Sequence, residues 1–171
     1  MRCKRDHMMD DLLFGAQLVH PNLEAADAED AIRQLGQVLV RQACIDPRYI
    51  EGVVERERSF PTGVEFPGGP IALPHGDPTF VRRSAIAVAK CSTPVPFHAM
   101  GDANATLQTE FVIMLAVSDP DGHLEVLSHL MDALADEVFY RDIQAATGEE
   151  AIARLFSGRL VKEVESHGIG L

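Results

Sequence analysis

Hydrophobic positions along this chain follow two rhythms, one of helical period and one nearly unbroken. Ala31, Ile32, Leu35, Val38 and Leu39 fall on one stripe of a helix. Asp27 stands ahead of them as an N-cap, with acidic Glu29 and Asp30 in the first turn, where the helix dipole favours negative charge. Asp46-Pro47 opens a second helix, since proline fits a first turn that has no intrahelical partner for its missing donor. Tyr49, Ile50, Val53 and Val54 form its apolar side. Asp119-Pro120 opens a third, with Leu124, Leu127, Leu130, Met131 and Leu134 on one face. Two further helices are predicted over residues 136–146 and 149–156, separated by Gly148.

The other rhythm predicts strands. Residues 85–89 and 111–117 are near-continuous apolar runs, the pattern of strands covered on both faces. Ile71-Ala72-Leu73 is a short buried strand that stops at Pro74. Residues 18–23 form a weak strand candidate broken by Pro21. Residues 95–97 predict a short edge strand, because Pro94 and Pro96 bar the segment from a sheet centre. Residues 59–69 hold two prolines and three glycines and predict a loop. Asp77-Pro78 starts a short helical turn. Strand-like and helix-like segments alternate, so the expected class is α/β.

Composition narrows the possibilities. The 171 residues suit one domain, expected over residues 18–157, with a loose segment at 1–17 and a polar tail at 158–171. A net charge of −11 repels nucleic acid and anionic lipid and favours a basic protein partner. Cys3, Cys44 and Cys91 are widely spaced and form no CxxC pair, which points to a reducing cytoplasm and away from zinc or a disulfide framework. The longest apolar run, residues 111–117, is too short to span a bilayer. The basic patch near Met1 has no long apolar region behind it and is not a secretory signal.

Candidate chemistry centres on His75. It follows the strand and Pro74 directly, with Gly68, Gly69 and Gly76 around it, at the carboxyl end of a strand where open α/β sheets bind ligands. Glycine there allows a close approach to the backbone. His75 is a nucleophile or general base in one reading and a surface or capping residue in the other. His123 is placed in the first turn of the third helix on the face of Leu127 and Leu130, where helix N–H groups attract an anion such as phosphate. Arg56 and Arg58 end the second helix, and either borders its buried stripe. Spacing does not choose between them as a phosphate ligand, and Glu55 and Glu57 stand ready to neutralise either. Asp77 and Asp119 precede prolines and read as caps, while His129 points elsewhere on its helix. No HExxH, P-loop, GxSxG or GxGxxG motif is present, and no metal site or cofactor is expected.

Several segments together resemble a family. They are Glu55-Arg56-Glu57, Phe60-Pro61-Thr62-Gly63, Ile71-Ala72-Leu73-Pro74-His75, Pro94-Val95 with Phe97 and Met100-Gly101, and His123-Leu124 with Leu127. Over roughly residues 18–156 the chain is similar to the enzyme IIA domain of the bacterial sugar phosphotransferase system, fructose/mannitol type, and most to its galactitol branch. The long stretch from Val64 to Pro70 departs from the fructose/mannitol pattern and carries that likeness. The resemblance implies a mixed β-sheet with helices packed on both sides. It implies that His75 is the phosphorylated residue, that His123 and Arg56 line the same site, and that Arg56 rather than Arg58 is the ligand. The implied donor is HPr and the implied acceptor is a cysteine of a IIB component, with only indirect association to a IIC permease and no membrane insertion. A regulatory nitrogen-type IIA would carry phosphate on the same histidine without feeding a permease. A non-catalytic binding domain with a structural His75 is the reading from another class. A metal hydrolase built on His75 and His123 lacks a carboxylate or cysteine to complete its ligands.

Overall fold

The computed structural model of the protein describes residues 12–119 and 121–160. The basic N-terminal run with Cys3, Pro120, and the tail beyond Leu160 lie outside the described residues. In chain order the elements are β1 (Val19–Leu23), α1 (Ala28–Arg41), α2 (Arg48–Ser59), β2 (Gly63–Phe66), β3 (Gly69–Ala72), β4 (Ala85–Ala99), β5 (Asp102–Ala116), α3 (Leu124–Ala135), α4 (Glu137–Ala145) and α5 (Glu149–Leu160). Short carboxylates start three of the helices. Asp27 accepts from Asp30 N at 2.8 Å, Asp46 from Arg48 N at 2.9 Å and Asp136 from Val138 N at 2.9 Å. Each satisfies a donor that the first turn leaves unpaired.

The sheet is mixed. β1 runs parallel to β4, β4 antiparallel to β5, β5 parallel to β3, and β3 antiparallel to β2. β2 returns to the far end of β4 through Gly63 and Ala99, closing a ring of four strands with β1 outside it. Alternate strand residues feed two cores. Ala85, Ala87, Ala89, Val112, Met114 and Ala116 pack with α1 and α2. Ile86, Val88, Phe111 and Ile113 pack with α3, α4 and α5 on the opposite face. Helices thus cover both sides, and burial of the strands on both faces explains their unbroken apolar runs. No described helix is long and apolar enough to cross a membrane.

Four expectations need correction. Residues 59–69 are not all loop. β2 pairs with β3 across a two-residue turn at Pro67 and Gly68, so these residues punctuate a hairpin rather than dissolve it. Gly69 has φ 155°, and a Cβ there would come within 2.6 Å of the Tyr140 hydroxyl. Residues 95–97 are not a separate edge strand. They are the outer half of β4, which passes through a bulge between Lys90 and Val95 and pairs again with β5 from Thr109 to Thr106. The packed chain begins before Leu18. Leu13 N donates to Ser84 O at 2.8 Å, and Phe14 stacks edge-on against Phe156. Finally, α3 starts at Leu124, so His123 is its N-cap and not part of its first turn. Its buried face is Val126, His129, Leu130, Ala133 and Leu134, while Leu124 is 62% exposed and Met131 also faces solvent. His129 therefore points inward, with Nδ1 donating to Leu160 O at 3.3 Å.

This topology collects strand ends at one rim of the sheet. β3 and β5 run parallel and finish there, and antiparallel β4 begins there, with Ala85 opposite Ala116 and His75 bridged to Leu115.

Candidate phosphoryl-transfer site

His75 leaves the sheet one residue after Pro74, whose carbonyl accepts from Leu115 N at 3.1 Å. The ring is partly buried. Its Nδ1 lies 3.0 Å from Leu73 O. A carbonyl can only accept, so Nδ1 carries the hydrogen and Nε2 keeps its lone pair. Bonded to its own strand, the imidazole presents one defined nucleophilic nitrogen.

Helix α2 supports this loop with residues one helical turn apart. Tyr49, Val53 and Glu57 recur at every fourth position and are buried. The Tyr49 hydroxyl donates to Leu115 O at 2.7 Å and accepts from Gly76 N at 3.0 Å. Burial pushes the Tyr49 phenol up to about 12. A Cβ on Gly76 would approach Val53 Cγ2 to 2.8 Å. Gly76 therefore makes room for α2. The close approach its sequence position suggested is made by the protein's own helix, and at Gly68 and Gly69 by Tyr140.

Glu57 is 8% exposed, and its two oxygens accept from Thr62 N and Thr62 Oγ1, each at 2.8 Å. It neutralises neither arginine, contrary to the expectation from its sequence neighbours. Burial raises its carboxyl above the usual range, opposed by the Thr62 hydrogen bonds and by the nearby His75 and His98. Arg58 turns to α1 and forms an ion pair with Glu29. Arg56 has no ion pair among the described residues and lies over the Phe60 ring, 5.5 Å from its centroid. Its charge reaches the Tyr49 phenol.

His123 is 5% exposed, and its Nδ1 is buried with no hydrogen-bond partner among the described residues. It borders a cleft of about 510 Å³ together with Arg82, Arg83, Ser84, Ser118, Asp119 and Gly122. Asp119 holds this turn through its backbone, its carbonyl accepting from His123 N at 3.2 Å. Asp77 caps as expected, accepting from Thr79 N at 2.9 Å. His75 is bridged to Leu115 near the end of β5, and the cleft that His123 borders is lined by Ser84 before β4 and Ser118 after β5, while no hydrogen bond joins the two histidines. No group of three or more His, Cys, Asp or Glu side chains among the described residues could hold a metal ion.

The sequence model of the phosphoenolpyruvate-dependent sugar phosphotransferase system EIIA 2 family matches residues 12–158. The chain belongs to this family. Among EIIA relatives, the mannitol-specific EIICBA component of Escherichia coli strain K12 is 29% identical over 149 residues, which is 85% of this chain and 22% of that protein. The galactitol-specific EIIA component of Escherichia coli O157:H7 is 25% identical over 116 residues, 68% of this chain and 77% of that one. The chain thus spans about a fifth of the mannitol protein and most of the galactitol component. The EIIA fold is also that of enzyme IIAMTL in its NMR complex with phosphorylated enzyme IIBMTL from Escherichia coli, with TM-score 0.69, 24% identity, and coverage of 86% of this chain and 99% of that one.

Within this EIIA chain, Tyr49, Glu57 and Thr62 were not singled out as functional from sequence. Glu57 sits in the run Glu55-Arg56-Glu57-Arg58, which looks solvated. Its position eight residues after Tyr49 and four after Val53 is the signal that places it on the inner face.

Proposed function

We propose that this EIIA chain is a phosphoryl carrier that accepts phosphate on His75 Nε2 from HPr and passes it to a cysteine of a IIB component during uptake of a sugar or sugar alcohol. A galactitol-type IIB is the first partner to test, and the IIC permease would be reached only through IIB. The observation that carries the proposal is the hydrogen bond from Nδ1 to Leu73 O, which leaves Nε2 as the single nucleophilic atom of a ring held at the sheet edge.

Phosphoryl transfer asks the protein mainly for positioning and for stabilising charge on the equatorial oxygens. Nε2 attacks phosphorus in line, and the donor's leaving atom takes the electron pair of the breaking bond. Arg56, uncommitted to any described carboxylate, supplies fixed positive charge. His123, with a ring nitrogen unpaired among the described residues, supplies a hydrogen bond beside the N-terminus of α3. Onward transfer reverses the step, with a cysteine thiolate attacking and Nε2 recovering its lone pair.

The test is a chase. The protein is labelled from phosphoenolpyruvate with enzyme I and HPr, then mixed with a galactitol-type IIB. Loss of label from this chain with its appearance on the IIB cysteine is the expected result. Label that forms and never reaches any IIB favours the regulatory nitrogen-type role, and absence of label on wild-type protein contradicts carriage altogether.

A further inference from the structure

Glu57 is a buried carboxylate with no part in the transfer step itself. It is joined to His75 by a continuous path. Its two oxygens hold Thr62 by N–H and hydroxyl. Thr62 O accepts from Leu73 N at 3.1 Å. Leu73 O in turn accepts from His75 Nδ1 at 3.0 Å. Each link is a fixed donor and acceptor, so the orientation of the imidazole is set from α2 through the start of β2 and the end of β3.

The chemistry gives that path a second consequence. When Nε2 forms its bond to phosphorus, it spends its lone pair. The Nδ1 hydrogen has no base to leave to, because its partner Leu73 O is an amide carbonyl, which accepts a hydrogen bond but is far too weak a base to take the proton. The ring of the phosphorylated histidine therefore carries one positive charge, balanced by the departing electron pair on the donor. The cationic ring leaves as neutral imidazole, a far better leaving group than the imidazolate that a ring without its Nδ1 hydrogen would release, so a protein that keeps this charge keeps the phosphoryl group ready for transfer. A partly buried cation of this kind needs a counter-charge.

We propose that Glu57 is a positioning residue for His75, which holds the Nδ1 hydrogen in place through Thr62 and Leu73 and supplies the counter-charge for the cationic ring that phosphorylation creates. The inference rests on the reading of His75 as phosphoryl acceptor. Other charged groups face this region. The charge of His98 on β4 reaches Glu57, and the charges of Arg56 and Asp77 reach the Tyr49 phenol that holds Gly76. Of these, Glu57 is the carboxylate withdrawn from solvent, where a charge is least screened. Asp77 is exposed and engaged with Thr79.

Glu57→Gln tests this. The amide can still accept from Thr62 N and donate to Thr62 Oγ1, so shape is kept while charge is lost. The readout is the pH profile of phosphoryl transfer from this chain to IIB. Without the counter-charge the ring gives up its Nδ1 proton more easily, so the alkaline limb moves to lower pH by roughly one unit, about tenfold in the ratio of the two ring forms. Loss of packing alone would lower the rate at every pH and leave the profile in place. A folded Glu57→Gln that still takes phosphate on His75 with an unmoved profile overturns the inference and leaves the carrier reading standing. Wild-type protein that takes no label overturns both. Should Glu57→Gln fail to fold, Thr62→Val removes one of the two donors to the carboxylate. It moves the limb in the same direction by less, and an unmoved profile there overturns the inference equally.

Discussion

Arg56 and Arg58 stand two positions apart and meet different surroundings. Arg58 is held by Glu29 across the α1–α2 contact, while Arg56 faces Phe60 and the field of Tyr49 with no described carboxylate of its own. Arg56→Ala is expected to slow phosphoryl transfer by up to about 10²-fold, the scale of a lost donor in a preorganised anion site. Arg58→Ala, which breaks an exposed pair worth about 1 kcal/mol or less, is expected to transfer at a near wild-type rate. Steady-state transfer assays on both variants check this, and equal losses would contradict the assignment. Tyr49→Phe strips partners from Leu115 O and Gly76 N together. Leaving such buried groups unpaired costs about 1–3 kcal/mol each where no water replaces the hydroxyl, measurable by denaturant unfolding. Burial raises the Tyr49 phenol to about 12 from an ordinary 10.0, so its neutral form belongs to the folded state. The stability it contributes is complete below pH 10 and is lost as pH rises toward about 12, and Tyr49→Phe should lose that part of the alkaline limb. At this scale His75 was legible because a strand, a proline and a histidine come in immediate succession. Glu57 was not, because a charged run hides which of its members turns inward.

At the scale of elements, the helices were readable and part of the sheet was not. Carboxylate caps and 3.6-residue spacing leave local marks, whereas pairing between strands is recorded only in the partner. β2 is hidden in the sequence because Pro67 and Gly68 carry the signature of a loop, whereas they form the turn between Phe66 and Gly69. The outer half of β5 was lost because its residues from Asp102 to Gln108 are mostly exposed and polar, with Ala105 and Leu107 only half-buried. The inward face of α3 is not marked locally, because the burial of His129 against Leu160 O depends on α5. The contact that matters most for the site is α2 against the His75 loop, where Gly76 leaves no room for a side chain. Gly76→Ala should displace the loop and cost about 1–3 kcal/mol through overpacking. Phosphorylation should slow while far-UV circular dichroism stays native, and an unchanged phosphorylation rate would contradict the claim that α2 fixes the loop.

For the molecule as a whole, the sheet buries both faces and the candidate site lies at one rim, where β3 and β5 end and β4 begins. Acid sensitivity should reflect carboxylates distributed around this frame. Arg48 hydrogen bonds hold Asp46 down at about 2, against an ordinary 3.8. Its folded value is depressed, so its contribution is present above pH 3.8 and is lost as pH falls toward about 2. Glu57 runs the other way, since burial raises its carboxyl and the resulting stability is lost as pH rises from 4.5. Asp46→Asn should therefore flatten the acid limb of an unfolding profile, and an unaltered limb would contradict this placement of Asp46.

All of this converges on one nitrogen. Labelling the protein from phosphoenolpyruvate with enzyme I and HPr, followed by ¹⁵N and ³¹P NMR of the native phosphoprotein, reads directly which ring atom bears the phosphoryl group. The account predicts a single acid-labile phosphoryl group on His75 Nε2, with Nδ1 still protonated, and none in His75→Ala. A phosphoryl group on Nδ1, or undiminished label in His75→Ala, would contradict it.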